Sequence, residues 1–363
     1  MSLPAFQPVA LSCLMRGDLA ELATHWQRRG HVAYLPEPGM LQLCAAASTD
    51  DRLLISVGVH GNERLPIEML APVIDTLLKT PQALRVNLLL IVGNPEALTI
   101  NKRFVDIDLN RLFGRPTRTE KIVRDQIGND GDRNSEGGTE DTRKLAETAR
   151  AAAIMRVTTD FFETEGAFKW HLDLHSTIRP SLHPRFAIVP ALPDDLAQQP
   201  LTAWLGRAGM QAIVFNNLPS ATFSAFTSQE CDALSCTVEL GQVGASPTRE
   251  MASLSQTQQA LEQLLHAMPL GADARSNFPI VTASGSTVPE LYCVAREVIK
   301  RDESFVLHLP SAAPNFSSIA ANTAFASSGA TTVNSGPATE YVLFPNPDVK
   351  IGQRAALMIV VVN

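Results

Sequence analysis

The strongest chemical signal in the sequence is His60-Gly61-Asn62-Glu63, which places an imidazole and a carboxylate three residues apart. Imidazole nitrogen and carboxylate oxygen are both ligands that zinc accepts in proteins. Gly61 would let the chain turn sharply between the two side chains. Four-residue patterns also arise by chance, and a histidine near an acidic residue can equally be a helix-capping or surface feature. The pair therefore predicts part of a metal site and needs a further ligand elsewhere.

A second group of polar residues lies in the segment HLDLH at 171–175. In a strand, the period of two places His171, Asp173 and His175 on one face and the leucines on the other. His175 is the better candidate ligand because it lies at the end of the strand, whereas His171 lies about 13 Å earlier at a rise of roughly 3.3 Å per residue. We therefore expect His171 to be a core or surface histidine and Asp173 to be a supporting carboxylate.

Glu239 lies in the apolar run TVELG, which predicts a largely buried carboxylate. A buried carboxylate has a raised proton affinity, so it can take a proton from an attacking water and pass it to a leaving amine. The alternative is a glutamate at a strand end that pairs with a surface cation. A metal site nearby favours the acid/base interpretation.

Cationic and amide side chains follow the apolar run at 87–93, namely Arg103 and, within a DIDLNR block, Asn110 and Arg111. A guanidinium binds a carboxylate through two parallel hydrogen bonds. Surface ion pairs are the ordinary explanation for any one of these residues, and only their shared position near the other motifs indicates a substrate site. Arg179 and His183 follow the second histidine motif and are further candidates for that site.

The apolar pattern predicts the elements that position these residues. Continuous apolar runs predict strands at 53–59, 87–93, 170–176, 185–190 and 234–241. Helices are predicted at 64–80, 139–165, 195–209 and 250–268. Strands that alternate with helices are typical of an α/β domain with a largely parallel sheet. The HGNE motif then lies at the carboxyl end of a strand, where open α/β sheets usually bind ligands.

The pattern changes after about residue 275 to short β-like runs separated by Ser, Pro, Asn and Gly. This change predicts two domains, a hydrolase domain over 1–274 and a small β-rich domain over 275–363. A polar, charged segment at 119–141 predicts a surface insertion. Four of its side chains fall at the first, third, fifth and twelfth positions of a calcium-loop spacing, namely Asp130, Asp132, Asn134 and Asp141. Ser135 occupies the sixth position, where glycine is required, so calcium binding is not expected.

Composition excludes several classes of function. The 363 residues carry a formal net charge of -7, whereas a nucleic-acid surface needs an excess of Lys and Arg. No apolar run approaches the roughly 18 residues that span a bilayer, and the N-terminus lacks a signal-peptide pattern. The five cysteines are scattered without a C-x-x-C pair, which disfavours disulfides and thiolate metal sites. We expect a cytoplasmic protein that binds neither nucleic acid nor membrane, and the sequence predicts no oligomeric state.

The motifs occur in a familiar order: HGNE at 60–63, the NP to DLNR block at 94–111, DLHSTIR at 173–179 and VELG at 238–241. In this order the chain resembles, over most of its length, the succinylglutamate desuccinylase and aspartoacylase family, which is related to the zinc carboxypeptidases. The resemblance implies a zinc-carboxypeptidase-like three-layer α/β domain with a mostly parallel mixed sheet, plus a small C-terminal all-β domain. DLHSTIR followed by SLHPRFAIVP, and the tail FPNPDVKIGQRAALMIV, resemble the desuccinylases more than the aspartoacylases.

The resemblance also implies a role for each candidate residue. One zinc ion per subunit would be bound by three ligands, namely His60, Glu63 and His175. Glu239 would be the catalytic acid/base, and Arg103 would help to polarise the scissile carbonyl. Asn110 and Arg111 would hold a substrate carboxylate, and we add Arg179 as a candidate for the same task. Two imidazoles and one carboxylate also suit a catalytic zinc site that leaves a fourth position for water.

From these roles we expect hydrolysis of N-succinyl-L-glutamate to succinate and L-glutamate, a step of arginine catabolism, with a small anionic acyl-amino acid as the partner. The same chemistry on N-acetyl-aspartate, on another N-acyl amino acid or on a peptide C-terminus remains an alternative. A metal-binding sensor without turnover is a second alternative, which Glu239 disfavours because a sensor has no need of a base. Aspartoacylases use a further arginine upstream of the catalytic glutamate, and residues 220–235 contain none.

Overall fold

The computed structural model of the chain describes residues 7–114, 139–164, 168–192, 194–195, 198–244, 251–266 and 288–362, with side chains from residue 146 onward in the second range. Most of the insertion predicted at 119–141 lies outside this description, and so do Asp130, Asp132 and Asn134 of the calcium-loop spacing. Both expectations therefore stay predictions.

The strands in the described residues are β1 (Ala33–Tyr34), β2 (Met40–Leu43), β3 (Arg52–Val57), β4 (Asn87–Val92), β5 (Lys169–Thr177), β6 (Arg185–Val189), β7 (Ala212–Phe215), β8 (Leu234–Gln242), β9 (Glu290–Ile299), β10 (Val306–Leu307), β11 (Ser317–Ile319), β12 (Ala324–Ser328), β13 (Thr331–Asn334), β14 (Glu340–Leu343) and β15 (Arg354–Val361). Twelve of them form one sheet in the order β1-β2-β4-β3-β5-β8-β6-β7-β9-β15-β14-β11. The other three form a small sheet in the order β10-β12-β13.

The helices in the described residues are α1 (Ala10–Arg16), α2 (Ala20–Gln27), α3 (Leu65–Lys79), α4 (Pro95–Thr99), α5 (Thr139–Phe162), α6 (Gln199–Arg207), α7 (Phe223–Glu230) and α8 (Ser255–His266). Short 3₁₀ turns occur at Pro81–Ala83 and Leu109–Arg111. Among these helices, none combines the length and the apolar character that crossing a membrane requires.

Parallel strands form the centre of the large sheet, where β3 pairs with β4 and β5, and β5 pairs with β8. Both faces of this centre are buried, which explains the continuous apolar runs. Leu53, Ile55 and Val57 belong to an apolar cluster that includes residues of α1, α3 and α8. Leu54 belongs to a second cluster, on the other face, that includes residues of α5 and α7. The predicted three-layer α/β architecture is confirmed.

The sequence predicted the central elements better than the peripheral ones. The five predicted strands correspond to β3, β4, β5, β6 and β8, and the helix predicted at 64–80 is α3. The helices predicted at 139–165, 195–209 and 250–268 correspond to α5, α6 and α8. The sequence did not predict α1, α2, α4, α7, β1, β2 or β7, because elements of two to eight residues contain too few repeats of a hydrophobic period to be distinguished from loops.

The β-rich character predicted after residue 275 is confirmed, since the described residues from 288 onward form strands and no helix. These strands nevertheless continue the large sheet, because β9 pairs in parallel with β7 and antiparallel with β15. Phe186 and Val214 of the central sheet belong to one buried apolar cluster with Tyr292, Phe316 and Leu357. The C-terminal strands therefore cover one face of the sheet that positions the candidate site. The domain boundary at 274 stays a prediction.

Candidate metal and catalytic site

The three predicted ligands meet at the carboxyl ends of neighbouring parallel strands. His60 and Glu63 lie between β3 and α3, and His175 lies near the end of β5. Gly61 brings this loop against α4, where an added Cβ would lie only 2.0 Å from the carbonyl carbon of Ala97. The chain turns here as expected, since the backbone N–H of Glu63 donates to the backbone oxygen of His60 at 3.3 Å. The close approach of the two backbones is a further reason for the glycine.

One ligand atom from each of His60, Glu63 and His175 lies within 4.8 Å of the other two, and all three residues are buried. The Nδ1 atom of His60 lies 2.8 Å from Oε1 of Glu63, and the Nδ1 atom of His175 lies 2.9 Å from Oε2. Two imidazoles and one carboxylate suit a divalent transition metal such as zinc. This group could therefore hold one metal ion.

Each of the two imidazoles also contacts a carboxylate through Nε2, the ring nitrogen that does not contact Glu63. The Nε2 atom of His60 lies 3.0 Å from Oδ1 of Asp108, and the Nε2 atom of His175 lies 2.9 Å from Oδ2 of Asp173. Such a carboxylate holds the Nε2–H tautomer, so that the lone pair of Nδ1 points to the metal position. The chemistry of this donor set fits a metal ion that is bound through both Nδ1 atoms.

The charges of the group favour a cation between the ligands. Burial alone raises the pKa of Glu63, but His60 and His175 outweigh it and hold that pKa below its ordinary value. Burial alone lowers the pKa of His175, but the carboxylates of Asp173 and Glu63 raise it well above its ordinary value. A metal ion competes with protons for the same nitrogen lone pairs, so metal binding here releases protons.

Glu239 lies beside the metal group, because β8 pairs with β5 in a register that places it opposite His175. It is 7% exposed, and its Oε2 atom has no hydrogen-bond partner among the described residues. Burial raises the pKa of Glu239 to about 7, although the charge of His175 partly opposes this shift. A carboxyl group with this pKa can accept and release a proton near neutral pH.

Arg103 also reaches the metal group, since its Nη1 atom donates to Oε1 of Glu63 at 3.0 Å. The backbone that follows Arg103 is held by Glu147, whose carboxylate accepts hydrogen bonds from the backbone N–H groups of Val105, Asp106 and Ile107. Glu147 lies on α5 and is 4% exposed. A buried carboxylate on a helix therefore fixes the loop between Arg103 and the DLNR block.

Each of the three proposed substrate residues is hydrogen-bonded to a backbone group of the chain. Asn110 is buried, and its Oδ1 atom accepts a hydrogen bond from the backbone N–H of Phe223 at 2.9 Å. Arg111 donates from Nη1 to the backbone oxygen of Asn110 at 2.9 Å. Arg179 donates from Nη1 to the backbone oxygen of Ser311 at 2.6 Å, which links it to the C-terminal strands. Their contacts to substrate stay predictions.

His183 and His171 are not members of the metal group found among the described residues. The Nε2 atom of His183 lies 3.4 Å from the hydroxyl of Tyr292 and 3.7 Å from Glu290, and burial lowers the pKa of this histidine. His171 is fully buried and hydrogen-bonded on both ring nitrogens, to Ser56 and Thr227. The expectation that His171 is a core histidine is confirmed.

Asp108 and Glu147 were missed at the sequence level. Asp108 stands two residues before Asn110 in the DIDLNR block, and a carboxylate adjoining predicted substrate residues was the available signal for it. Glu147 carries no local signal, because it lies in a helix and contacts a loop 40 to 42 residues away. Its partners depend on tertiary packing rather than on any local pattern.

Two family models match the sequence. The succinylglutamate desuccinylase/aspartoacylase catalytic domain matches residues 49–265, and the AstE/AspA barrel-sandwich hybrid domain matches residues 287–362. The first match contains the metal group, Arg103 and Glu239, whereas the second spans β9 to β15.

Individual relatives agree with the family models. The succinylglutamate desuccinylase of Serratia proteamaculans is 33% identical over 348 residues, which cover 95% of this chain and 92% of the relative. A solved succinylglutamate desuccinylase from Vibrio parahaemolyticus is 27% identical with a TM-score of 0.71, covering 89% of this chain and 86% of that chain. Another solved succinylglutamate desuccinylase, from Chromobacterium violaceum, is 28% identical with a TM-score of 0.68, covering 99% of this chain and 99% of that chain.

Proposed function

Because the chain belongs to the succinylglutamate desuccinylase/aspartoacylase family, we propose that it is a zinc-dependent hydrolase of N-succinyl-L-glutamate. The products are succinate and L-glutamate, and the reaction serves arginine catabolism in the cytoplasm. The relatives from Serratia proteamaculans, Vibrio parahaemolyticus and Chromobacterium violaceum bear the name succinylglutamate desuccinylase. This agreement favours the succinyl group over other acyl groups.

One observation supports turnover rather than mere metal binding. The Oε2 atom of Glu239 is buried and has no hydrogen-bond partner among the described residues, on the strand next to His175. An unpartnered buried carboxylate oxygen costs stability, so it needs a purpose. A general base needs such a free acceptor oxygen to take the proton of a reacting water. A metal sensor has no need of one.

Metal binding, proton transfer and stabilisation of negative charge are carried out by different residues. His60, Glu63 and His175 would hold one zinc ion, which polarises the amide carbonyl and acidifies a water molecule when bound. Glu239 accepts the proton of the attacking water and donates it to the nitrogen of the leaving glutamate. Arg103 contributes positive charge beside the carbonyl oxygen, where negative charge develops.

The substrate carries three carboxylates, so a protein with an overall negative charge must bind it through local cations. We assign this task to Arg111 and Arg179, with Asn110 as an amide partner. Guanidinium groups suit it because they bind carboxylates through paired hydrogen bonds. The partner of the protein is thus a small anionic acyl-amino acid.

A comparison of substrates tests this proposal. The zinc-loaded protein is given N-succinyl-L-glutamate, N-acetyl-L-aspartate and N-acetyl-L-glutamate in parallel, and release of the free amino acid is measured. We expect the highest kcat/KM for N-succinyl-L-glutamate. Preference for an acetyl substrate would reassign the acyl group, and no turnover of any substrate would overturn the enzymatic role.

A further inference from the structure

A line of buried polar side chains crosses the sheet behind His175. Its members are Ser56 on β3, His171 and Asp173 on β5, and Thr227 on α7. None of these four residues has any exposed surface. Because buried polar groups are costly unless they are hydrogen-bonded, a continuous line of them that leads to a candidate metal ligand calls for an explanation.

Each member of the line contacts the next at hydrogen-bond distance. The Oγ1 atom of Thr227 lies 2.8 Å from Nδ1 of His171, and Nε2 of His171 lies 2.8 Å from Oγ of Ser56. The Ser56 hydroxyl lies 2.5 Å from Oδ1 of Asp173. The other oxygen of Asp173 accepts from Nε2 of His175 at 2.9 Å. The line therefore ends on a residue of the metal group.

The direction of every hydrogen bond in this line follows from its chemistry. A carboxylate only accepts, so Ser56 donates its one proton to Asp173 and must accept from His171. Burial lowers the pKa of His171 to about 4, so its ring is neutral and carries one N–H. That N–H is therefore on Nε2, and Nδ1 accepts the hydroxyl proton of Thr227.

We propose that Ser56, His171 and Thr227 are positioning residues that fix the carboxylate of Asp173 and thereby aim Nδ1 of His175 at the metal. The inference rests on the metal site of the proposed function but not on its substrate. Asp173 alone could rotate about its side-chain bonds, and the ring of His175 would rotate with it. With Oδ1 held by Ser56, only Oδ2 is presented to His175, and the orientation of the imidazole is fixed.

A spectroscopic measurement tests the direction of the line. Protein labelled with ¹⁵N at histidine is compared with and without Zn²⁺ by long-range ¹H–¹⁵N correlation, which distinguishes the Nδ1–H from the Nε2–H tautomer. We expect His171 as the neutral Nε2–H tautomer in both samples, and Nδ1 of His175 as the zinc-bound nitrogen. The Nδ1–H tautomer would leave the Ser56 hydroxyl without a donor from Nε2 of His171, so finding it would overturn the proposal.

A second experiment measures the effect on metal affinity by competition for Zn²⁺ with a chromophoric chelator. Removing a partner behind a metal-ligating histidine typically weakens metal binding by about 10–100-fold. Ser56 is one hydrogen bond further from the metal position than Asp173 is. We therefore expect Ser56→Ala to bind Zn²⁺ about tenfold more weakly. Thr227→Val, which removes the hydroxyl at nearly constant volume, should weaken binding by less, and Thr227→Ser should restore it.

Ser224→Ala is the matched control for these variants. Ser224 is buried on the same helix, and its hydroxyl lies 2.8 Å from Oγ1 of Thr237, outside the line. We expect this variant to lose stability to a similar degree, yet to keep the zinc affinity of the unaltered protein. The comparison separates positioning from the general cost of removing a buried hydroxyl.

The outcomes distinguish this inference from the proposed function. Unaltered zinc affinity in Ser56→Ala, or an equal loss in Ser224→Ala, would overturn the inference and leave the metal site intact. No zinc binding by the unaltered chain would overturn the metal site and this inference together. Weaker binding in Ser56→Ala and Thr227→Val, with recovery in Thr227→Ser, would support it.

Discussion

Glu239 is the residue on which the chemistry of the proposed site depends. Its carboxylate is buried opposite His175, with one oxygen unpartnered among the described residues. The carboxylates of Asp108 and Asp173 are hydrogen-bonded to the two imidazoles of the metal group, whereas the Oε2 atom of Glu239 has no hydrogen-bond partner among the described residues. Metal binding is assigned to His60, Glu63 and His175, and proton transfer is assigned to Glu239. A substitution of Glu239 can therefore separate the two tasks.

Replacement of Glu239 by glutamine should abolish proton transfer while the metal group remains intact. General acid–base groups typically contribute about 10²- to 10⁴-fold to rate, so we expect kcat for N-succinyl-L-glutamate to fall within that range. Zinc content and thermal stability should stay at the level of the unaltered protein. Glu163→Gln, at an exposed position, is the control. Turnover by Glu239→Gln at the original rate would contradict the assigned role.

The pKa of Glu239 determines how we expect activity to depend on pH. Burial raises the pKa of Glu239 to about 7, and a general base works only when deprotonated. Activity should therefore rise with pH through that pKa and be lost below it. The charge of bound zinc lowers the pKa of a neighbouring carboxyl, so the midpoint of kcat/KM should lie between about 4.3, the ordinary value for glutamate, and about 7. A profile with no acidic limb in that interval would contradict this prediction.

At the scale of elements, the site depends on one helix that holds a loop. The carboxylate of Glu147 on α5 accepts four hydrogen bonds, from Asn94 and from the backbone of Val105, Asp106 and Ile107. This loop carries Arg103 at one end and Asp108 at the other. The central strands and α3 could be predicted from apolar periodicity, but this contact could not, because α5 and the loop meet only in the folded chain.

Glu147→Gln should weaken the loop without removing any residue of the site. The amide offers one acceptor oxygen and sets an NH₂ group against backbone donors, so about two hydrogen bonds to a charged group are lost. Each such bond contributes about 1.5–3 kcal/mol, so we expect a clear fall in melting temperature. We also expect kcat/KM of the variant to be at least tenfold lower, even when Zn²⁺ is added at a concentration that saturates the metal group. Unaltered kcat/KM in a destabilised variant would show that the loop does not position the site.

At the scale of the whole molecule, the C-terminal strands belong structurally to the sheet that carries the site. The sequence predicted their β character from short apolar runs, but not their pairing with β7. Strand pairing between residues 212–215 and 290–293 is long-range, and a period of two fits any partner strand equally well. The ligands could be predicted because strand ends and residue types are local, whereas the register that connects the two regions is not.

This continuity makes a prediction about truncation. A chain that ends at residue 274 would expose the edge of β7 and uncover Phe186 and Val214, which are fully buried in the whole chain. Exposed strand edges and apolar patches promote aggregation. We expect the fragment to be insoluble or much less stable, and the whole chain to unfold in one transition by calorimetry. A soluble fragment with the melting temperature of the whole chain would contradict this view.

Metal removal and restoration, with N-succinyl-L-glutamate as substrate, tests zinc-dependent hydrolysis most directly. The purified protein is stripped with a chelator, dialysed, and titrated with Zn²⁺ while release of glutamate is measured. We expect activity to disappear on stripping and to return in proportion to zinc, up to one ion per chain. Activity that survives complete removal of metal, or no turnover by protein that holds one zinc ion per chain, would contradict it.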